Sequence, residues 1–134
     1  MCGIFGAVGV PAWVERIDLR VAVRALHHRG PDGNGTFRDR AEGPDGRGQA
    51  CALAHTRLSI VDLSDAGRQP MTTADGRYTI AFNGEVYNFP LVRTELEALG
   101  ETFRSNCDTE VVLRAFARWG SDVLGRLRGM FAFA

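Results

Sequence analysis

The sequence predicts a mixed α and β fold in one domain, on three observations. At 134 residues the chain is long enough for a single domain with a sizeable core and too short for two. Several short apolar runs have the periodicity of strands, and other segments have the apolar spacing of helices. The strand-like runs follow one another in hairpin-like order and the helical segments come in pairs, which favours an α+β arrangement.

Two stretches in the first half of the chain predict strands. Gly3–Gly9 is a β-prone run interrupted by glycines, which is typical of a buried strand that other backbone approaches closely. Residues 49–56 alternate three alanines with larger side chains, as in a strand that packs on both faces. Leu58, Ile60 and Val61 continue this strand as an extended apolar segment.

Further strands and loops are predicted by alternation and by turn-forming residues. Residues 77–82 alternate aromatic and aliphatic side chains with smaller ones, and Asn83-Gly84 directly after them predicts a turn. A short strand is expected at residues 102–105. Residues 29–35 and 41–48 are rich in glycine, proline and aspartate, so they are expected to be loops.

Helical periodicity predicts one helix before the first loop and another in the second half of the chain. Residues 13–28 carry an apolar stripe typical of a helix face. Asn88 is a candidate N-cap with Pro90 in the first turn, and Gly100 stands at the C′ position of the same helix.

The last third of the chain predicts two more helices and an apolar end. Asp108 is a candidate cap for a helix that Gly120 closes, and Ser121 begins a third helix that reaches about residue 127. Residues 129–134, GMFAFA, form an apolar run with no polar tail. We expect the domain to be incomplete at this end.

Composition excludes several classes of function. Sixteen basic residues balance sixteen acidic ones, so the formal net charge is zero and gives no electrostatic footprint for nucleic acid or anionic lipid. Every basic residue is an arginine. The absence of lysine excludes, within this chain, a Walker A lysine, a Schiff-base lysine and a kinase-type lysine.

Cysteine usage and hydropathy predict a cytoplasmic protein with no membrane partner. The chain has three cysteines, an odd number, without a CxxC pair, which fits a reducing compartment. The apolar stretch from Cys2 to Val14 lacks the basic region of a secretory signal. It is also much shorter than the roughly 20 residues that span a bilayer.

Cys2 is the first candidate for chemistry. Removal of Met1 would leave a thiol and a free α-amine on one residue. An α-amine that is partly neutral near pH 7 can act as base for a thiol, directly or through water. The plain alternative is an incidental cysteine at a frayed terminus.

Three further positions have the side chains that a nucleophilic site needs. Asn83-Gly84 follows a predicted strand, where a side-chain amide and a backbone N–H can bind an oxyanion, although a simple turn explains it too. Arg57 can grip a carboxylate with two parallel hydrogen bonds, or form a salt bridge to Asp62. Asp108 can pair with an ammonium group, or act as a helix cap.

Metal sites are disfavoured. His27, His28, His55 and Cys51 show no four-ligand spacing, so a zinc site is not expected. Residues 32–39 fail as a calcium loop because phenylalanine stands where glycine is required.

Five collinear motifs together resemble a known family. The motifs are MCGIFG at residues 1–6, HRGPDG at 28–33, RLSIVD at 57–62, NGEVYN at 83–88 and DTE at 108–110. On these motifs the chain resembles the N-terminal glutaminase domain, a class II glutamine amidotransferase, of glutamine-hydrolysing asparagine synthetases. With the GMFAFA end, the resemblance covers essentially the whole chain.

The resemblance implies a fold and a set of catalytic roles. The fold is that of the N-terminal-nucleophile (Ntn) hydrolases, an αββα sandwich of two antiparallel sheets between helical layers. Cys2 corresponds to the nucleophile that attacks the side-chain amide of glutamine, with its own amine as base. Asn83 and Gly84 correspond to the oxyanion hole.

The resemblance also implies how glutamine is bound. Arg57 corresponds to the clamp on the α-carboxylate, Asp108 and the region of Glu85 to the α-ammonium site, and Ile60 and Val61 to backbone contacts that line the pocket. Free glutamine is a zwitterion, so a site selecting it needs one cation and one anion at the end far from the thiol.

The resemblance extends to partners that lie outside these residues. It implies no cofactor or metal in this chain, with ATP and Mg²⁺ used by a synthetase domain that normally belongs to the same polypeptide and is absent here. That domain would use the ammonia to convert aspartate to asparagine. A homodimer is left open.

Alternatives to this function remain at the level of the sequence. The N-terminal motifs alone are equally compatible with an enzyme that amidates another carboxylate acceptor, and with a non-catalytic fragment that binds glutamine. A peptidase or acylase of the same fold is disfavoured by the pair of Arg57 and Asp108. Cys107 stands where many members of the family have serine, and we expect this change to affect packing more than the site.

Overall fold

A computed structural model describes residues 2–42, 47–59 and 67–134 of the chain. Within these residues, helices and strands alternate irregularly, as expected for an α+β fold. The strands are β1 (Gly3–Gly9), β2 (Gly33–Glu42), β3 (Gly48–Arg57), β4 (Met71–Thr72), β5 (Thr79–Ile80), β6 (Phe82–Val86) and β7 (Gly129–Phe133). The helices are α1 (Pro11–Val14), α2 (Leu19–Leu26), α3 (Phe89–Ala98) and α4 (Asp108–Trp119), with 3₁₀ turns at His27–Arg29 and Gly120–Gly125.

The described strands form antiparallel sheets. In the first sheet β3 is central, with β1 on one side and β2 on the other, and Gly3 of β1 lies opposite Thr56 of β3. The two strands predicted at Gly3–Gly9 and at residues 49–56 are therefore confirmed. Both faces of β3 are covered, because the side chains of Ala54 and His55, which point to opposite faces, are each fully buried.

The loop predicted at residues 29–35 is wrong in its second half. β2 begins at Gly33 and pairs with β3 along its whole length, from Gly33 opposite Arg57 to Glu42 opposite Gly48. Turn-forming residues can join a strand when a neighbour supplies the ladder of hydrogen bonds, and Gly35 also leaves room for the carbonyl of Gln69. The loop predicted at residues 41–48 lies partly outside the described residues, but residues 41, 42 and 48 belong to strands.

One face of the first sheet carries the N-terminal helices. The helix predicted over residues 13–28 is instead two helices, because Asp18 accepts a hydrogen bond from the backbone N–H of Arg20 at 3.0 Å and starts α2. Val14 and Leu19 pack against the small side chains of β3 in a buried cluster. The alanine face of β3 thus lets α1 and α2 approach closely.

The strand predicted at residues 77–82 is broken, and the turn predicted at Asn83-Gly84 is wrong. The chain passes from β5 to β6, and Asn83 and Gly84 lie inside β6, which pairs with β7. Backbone hydrogen bonds between Ala81 and Ala134, at 2.8 and 2.9 Å, extend this pairing. A glycine is required at position 84 because φ is +151° and a Cβ would collide with the backbone of β7.

The predicted boundaries of α3 are confirmed at its C-terminus. Gly100 has φ of +93°, and its N–H bonds to the Glu97 carbonyl while the N–H of Glu101 bonds to the Leu96 carbonyl, which is a Schellman motif. Asn88 precedes the helix as expected but its side chain does not cap it. The amide instead binds the backbone of residues 126 and 128 at 2.8 and 2.7 Å.

The segment before α4 also differs from the sequence prediction. Residues 102–105 form no strand, and Cys107, not Asp108, is the N-cap residue of α4. Glu110 organises this segment by accepting hydrogen bonds from the N–H groups of residues 104 and 105. The helix predicted from Ser121 is the 3₁₀ turn at Gly120–Gly125.

The layers follow from these contacts. α1 and α2 cover one face of the first sheet, the opposite face meets β6 through His55, and α3 and α4 enclose β5 and β6 in the larger buried cluster. No helix among the described residues is long and apolar enough to cross a membrane.

We expect Gly30→Ala to lower the free energy of unfolding by about 1–3 kcal/mol, the usual cost of overpacking. A Cβ at Gly30 would lie 2.5 Å from the carbonyl carbon and oxygen of Thr56 and 2.6 Å from the carbonyl carbon of Arg57. Urea unfolding measures the change. Gly125→Ala is the matched control, since a Cβ there meets nothing within 4 Å. Equal stability of the two variants would contradict the close approach.

Candidate active site

The sulfur of Cys2 lies against the backbone of Leu58. Its Sγ accepts a hydrogen bond from the Leu58 N–H at 3.4 Å and contacts the Leu58 carbonyl oxygen at 3.8 Å. The pairing of Gly3 with Thr56 explains this position, because it carries the start of the chain past the end of β3. Cys2 is half-buried. Continuing the register of β1 by one residue places it at the level of Arg57.

The HRGPDG segment at residues 28–33 is hydrogen-bonded to the end of β3 and to the residues that follow it. The Asp32 N–H donates to the Arg57 carbonyl at 3.0 Å, and the Asp32 carboxylate accepts from the Ser59 N–H at 2.8 Å. Thr56 adds a hydrogen bond from its hydroxyl to the Leu26 carbonyl at 3.0 Å. These bonds hold the backbone on both sides of Leu58, which is the backbone that the sulfur contacts.

A polar cavity of about 230 Å³ lies beside these hydrogen bonds. Arg57, the last residue of β3, lines this cavity and is half-buried. The remaining lining residues are polar or small: Asp32, Gly33, Asn34, His55, Ser59, Arg68 and Gln69. Ile60, Val61 and the alternative partner Asp62 lie outside the described residues.

The second group of predicted site residues lies on one edge of β6. In an antiparallel pair, the backbone groups of alternate residues point away from the partner strand. Ala81 is hydrogen-bonded to β7, so Phe82, Gly84 and Val86 direct their N–H groups to the opposite edge. Gln69 accepts from the Phe82 N–H at 2.6 Å and Asp108 from the Val86 N–H at 3.0 Å.

The Gly84 N–H lies between these two acceptors on the same edge. Among the described residues, no strand pairs with that edge of β6. The side chain of Asn83 leaves the same strand, and its Oδ1 is buried without a hydrogen-bond partner in the described part of the chain. Asn83 and Gly84 therefore bring an amide side chain and a backbone N–H together on one short segment.

The negative charge of the site comes from Asp108 and Glu85. Burial raises the pKa of the Asp108 carboxyl, and the nearby charge of Glu85 raises it further, although the hydrogen bond from Val86 opposes the shift. Glu85 itself is exposed. Two acidic side chains with one partly desolvated attract a cation such as an ammonium group.

Sequence reasoning missed two residues that lie between these groups. His55 is fully buried, and its Nε2 lies 3.1 Å from the Phe82 carbonyl, while Gln69 binds the Phe82 N–H. Burial lowers the pKa of His55 to about 4, an effect that the Phe82 carbonyl opposes and the charge of Arg57 reinforces. The only sequence signal was a histidine inside an otherwise apolar strand.

The structure thus brings the predicted residues together in two groups. The Cys2 sulfur contacts Leu58, the residue after Arg57, at the end of β3. Asn83, Gly84 and Glu85 lie on β6, and Asp108 at the start of α4 binds Val86 of the same strand. His55 connects the two groups across the interface between the sheets. Within the described part of the chain, no three histidine, cysteine, aspartate or glutamate side chains are arranged to hold a metal ion.

The fold is shared with a solved amidotransferase. Glutamine phosphoribosylpyrophosphate amidotransferase from Bacillus subtilis, determined with ADP and GMP, superposes with a TM-score of 0.66 over 97% of this chain and 34% of that chain, at 22% identity. This likeness, with antiparallel sheets between helices, defines an N-terminal-nucleophile hydrolase fold. The expected fold is therefore confirmed.

The sequence comparison identifies the family. The profile of the glutamine amidotransferase domain matches residues 1–134, and the chain belongs to this family. It is 37% identical, over 99% of its length, to asparagine synthetase [glutamine-hydrolyzing] 1 of Bacillus subtilis. It is 36% identical, over its whole length, to asparagine synthetase B of Escherichia coli. The chain spans 20% and 23% of the length of these two relatives.

We expect Asp108→Asn to raise the melting temperature at pH 7. The folded pKa of Asp108 is raised, so its contribution to stability is present below the unfolded pKa and is lost as the pH rises through the folded pKa. An asparagine oxygen can still accept from the Val86 N–H without carrying a buried charge. The gain should therefore fade when melting is repeated at progressively lower pH.

Glu110→Gln is the matched variant with the opposite sign. Burial acts to raise the pKa of Glu110, but hydrogen bonds from Ser105, Arg104 and Arg114 outweigh it and leave the pKa lowered. Its stabilising contribution is present above the unfolded pKa and is lost as the pH falls through the folded pKa. Glu110→Gln should lower the melting temperature at pH 7. Parallel pH profiles for the two variants would refute this account of their charges.

Proposed function

We propose that this chain hydrolyses glutamine to glutamate and ammonia through a thioester on Cys2. We further propose that the ammonia serves ATP-dependent conversion of aspartate to asparagine in a synthetase domain of the same polypeptide. The observation that carries the first step is the position of the Cys2 sulfur against the backbone of Leu58, the residue that follows Arg57. The second step is supported by relatives named asparagine synthetases over the whole of this chain.

Each group of site residues contributes one charged side chain for the α-carbon end of glutamine, which carries both the carboxylate and the ammonium group. The guanidinium of Arg57 binds the α-carboxylate with a bidentate pair of hydrogen bonds. Asp108, with Glu85 nearby, binds the α-ammonium group. A peptide-bound glutamine lacks both charges, so burying these side chains against it would leave them unpaired. Free glutamine is therefore the preferred substrate.

The first covalent step forms a bond between sulfur and the side-chain amide carbon of glutamine. The α-amine of Cys2, exposed by removal of Met1, takes the thiol proton. The carbonyl π electrons move to oxygen, and the Gly84 N–H and the Asn83 side-chain amide donate hydrogen bonds to the resulting oxyanion. One such donor is typically worth about 2.7–4 kcal/mol of barrier.

The remaining steps release the two products. The oxyanion reforms the carbonyl, the C–N bond breaks, and the nitrogen receives the proton and leaves as ammonia. Water then attacks the thioester, a C–O bond forms, the C–S bond breaks, and the sulfur recovers its proton as glutamate leaves. The same oxyanion donors serve both tetrahedral intermediates, and no metal or cofactor takes part in either step.

We expect Cys2→Ala to abolish release of ammonia from glutamine, because no other group in the proposed site can form the thioester. Ammonia release is measured on the full-length protein, together with its activity with free ammonia, which should remain. Cys51→Ala, at another half-buried cysteine, is the control and should retain glutaminase activity. Intact mass establishes whether Met1 is removed. Unchanged glutaminase activity in Cys2→Ala would overturn the proposal.

We expect Arg57→Lys to raise the KM for glutamine with a smaller effect on kcat. A lysine ammonium cannot reproduce the bidentate fork, and the lost contact is made equally in the ground and transition states. Arg118→Lys, at an exposed position on α4, controls for loss of a guanidinium elsewhere. A glutamine derivative whose α-carboxylate is an amide should lose little further activity in Arg57→Lys. Equal discrimination against this derivative by both proteins would show that Arg57 is structural.

A further inference from the structure

Two side chains hold the backbone of Phe82 at the edge of β6 that faces away from β7. Its N–H donates to Gln69 Oε1 at 2.6 Å and its carbonyl oxygen lies 3.1 Å from His55 Nε2. Neither contact comes from a partner strand. Phe82 directly precedes Asn83 and Gly84, so these two side chains grip β6 at the residue before the proposed oxyanion donors.

The protonation of His55 follows from its contact. A carbonyl oxygen can only accept, so Nε2 carries the proton and the neutral ring presents its lone pair at Nδ1. That Nδ1 is buried and has no hydrogen-bond partner among the described residues. An unsatisfied buried acceptor typically costs about 1–3 kcal/mol. The lowered pKa of about 4 keeps the ring neutral across the neutral pH range.

His55 also connects the two halves of the site by a short path. It precedes Thr56, which is paired with Gly3 next to Cys2, and its ring reaches across to β6. A displacement of β6 relative to β3 would change the distance between the sulfur and the oxyanion donors. A misplacement of about 1 Å can cost about 100-fold in rate.

We propose that His55 and Gln69 are positioning residues, which fix the Asn83-Gly84 segment relative to Cys2 through the two peptide groups of Phe82. This inference rests on the proposed glutaminase function. His55 acts as neither base nor metal ligand here. Its one N–H donates to the Phe82 carbonyl, and Gln69 Oε1 accepts from the Phe82 N–H.

The first test compares two substitutions of His55 in the full-length protein. Glutamine can place an amide nitrogen near the position of Nε2, whereas asparagine is too short to reach the Phe82 carbonyl. We expect His55→Asn to lower the kcat for glutamine by about 10- to 100-fold with little change in KM, because only the transition state is affected. His55→Gln should recover most of the rate. His27→Asn, at an exposed histidine, should have wild-type kcat.

The second test asks whether His55 acts through the oxyanion donors. Rates are normalised to the fraction of Cys2 that reacts with an electrophilic glutamine analogue, which removes any effect of misfolded protein. If His55 positions Asn83, the loss caused by His55→Asn should be much smaller in an Asn83→Ala background than in the wild type. A merely structural role would give multiplicative losses.

A variant at Gln69 keeps the test decisive if His55→Asn does not fold. Gln69 is half-buried, and Gln69→Met removes the acceptor for the Phe82 N–H while Gln69→Glu retains it. We expect the same fall in kcat for Gln69→Met. In Gln69→Glu the kcat should recover, while the added negative charge, which lines the same cavity as Arg57, should raise the KM for glutamine.

The outcomes separate this inference from the function on which it rests. If Cys2→Ala and Asn83→Ala lose activity but folded His55→Asn and Gln69→Met turn over at the wild-type rate, the positioning role is wrong and the function stands. Multiplicative losses in the double variant also overturn the positioning role. If Cys2→Ala remains active, the proposed function itself fails.

Discussion

The pairing of Gly3 with Thr56 is the constraint on which the rest of the site depends. It sets where the chain begins relative to the end of β3, and so it sets the contact between the Cys2 sulfur and Leu58. A slip of one residue would turn every side chain of β1 to the opposite face. Gly3 helps to prevent this slip, because the residue opposite Thr56 has to be a glycine. A Cβ at that position would lie 2.7 Å from Thr56 Oγ1.

The second constraint is the open edge of β6. Three N–H groups point to that edge, and two of them are satisfied by Gln69 and Asp108. The Gly84 N–H remains as a donor at a fixed position, so an oxyanion would meet a dipole that needs no rearrangement. The binding charges of Asp108 and Glu85 lie at the same strand, and the raised pKa of Asp108 shows that the fold holds a carboxylate where burial disfavours its charge.

Local patterns predicted the elements whose causes are local. The alternation at residues 49–56, the glycines of β1 and the Gly100 end of α3 were sufficient, since each is a pattern contained within its own segment. The prediction of a turn at Asn83-Gly84 was wrong because this segment pairs with β7, which lies more than forty positions further along the chain. Local sequence patterns give no information about so distant a partner strand. Asp18 similarly divides a continuous apolar stripe by capping α2.

The candidate site was predicted by residue type and motif, whereas its supporting contacts were not. Cys2, Arg57 and Asp108 carry chemistry that can be recognised in isolation. His55 and Gln69 both contact the backbone of Phe82, which is 27 and 13 residues away in sequence, so nothing near them indicates the contact.

The distribution of charge gives these supporting contacts a physical reason. A cationic histidine beside Arg57 would add a second positive charge near the end of β3 and compete for the substrate carboxylate. Burial keeps His55 neutral, so it can hold the Phe82 carbonyl without altering the field of the site. In the proposed mechanism two tasks are therefore separate: the charged side chains of Arg57, Glu85 and Asp108 bind the substrate, and the neutral side chains of His55 and Gln69 hold the backbone of Phe82. Neutral side chains can fix the backbone without adding a charge that would bind the carboxylate or ammonium group of glutamine in a second orientation.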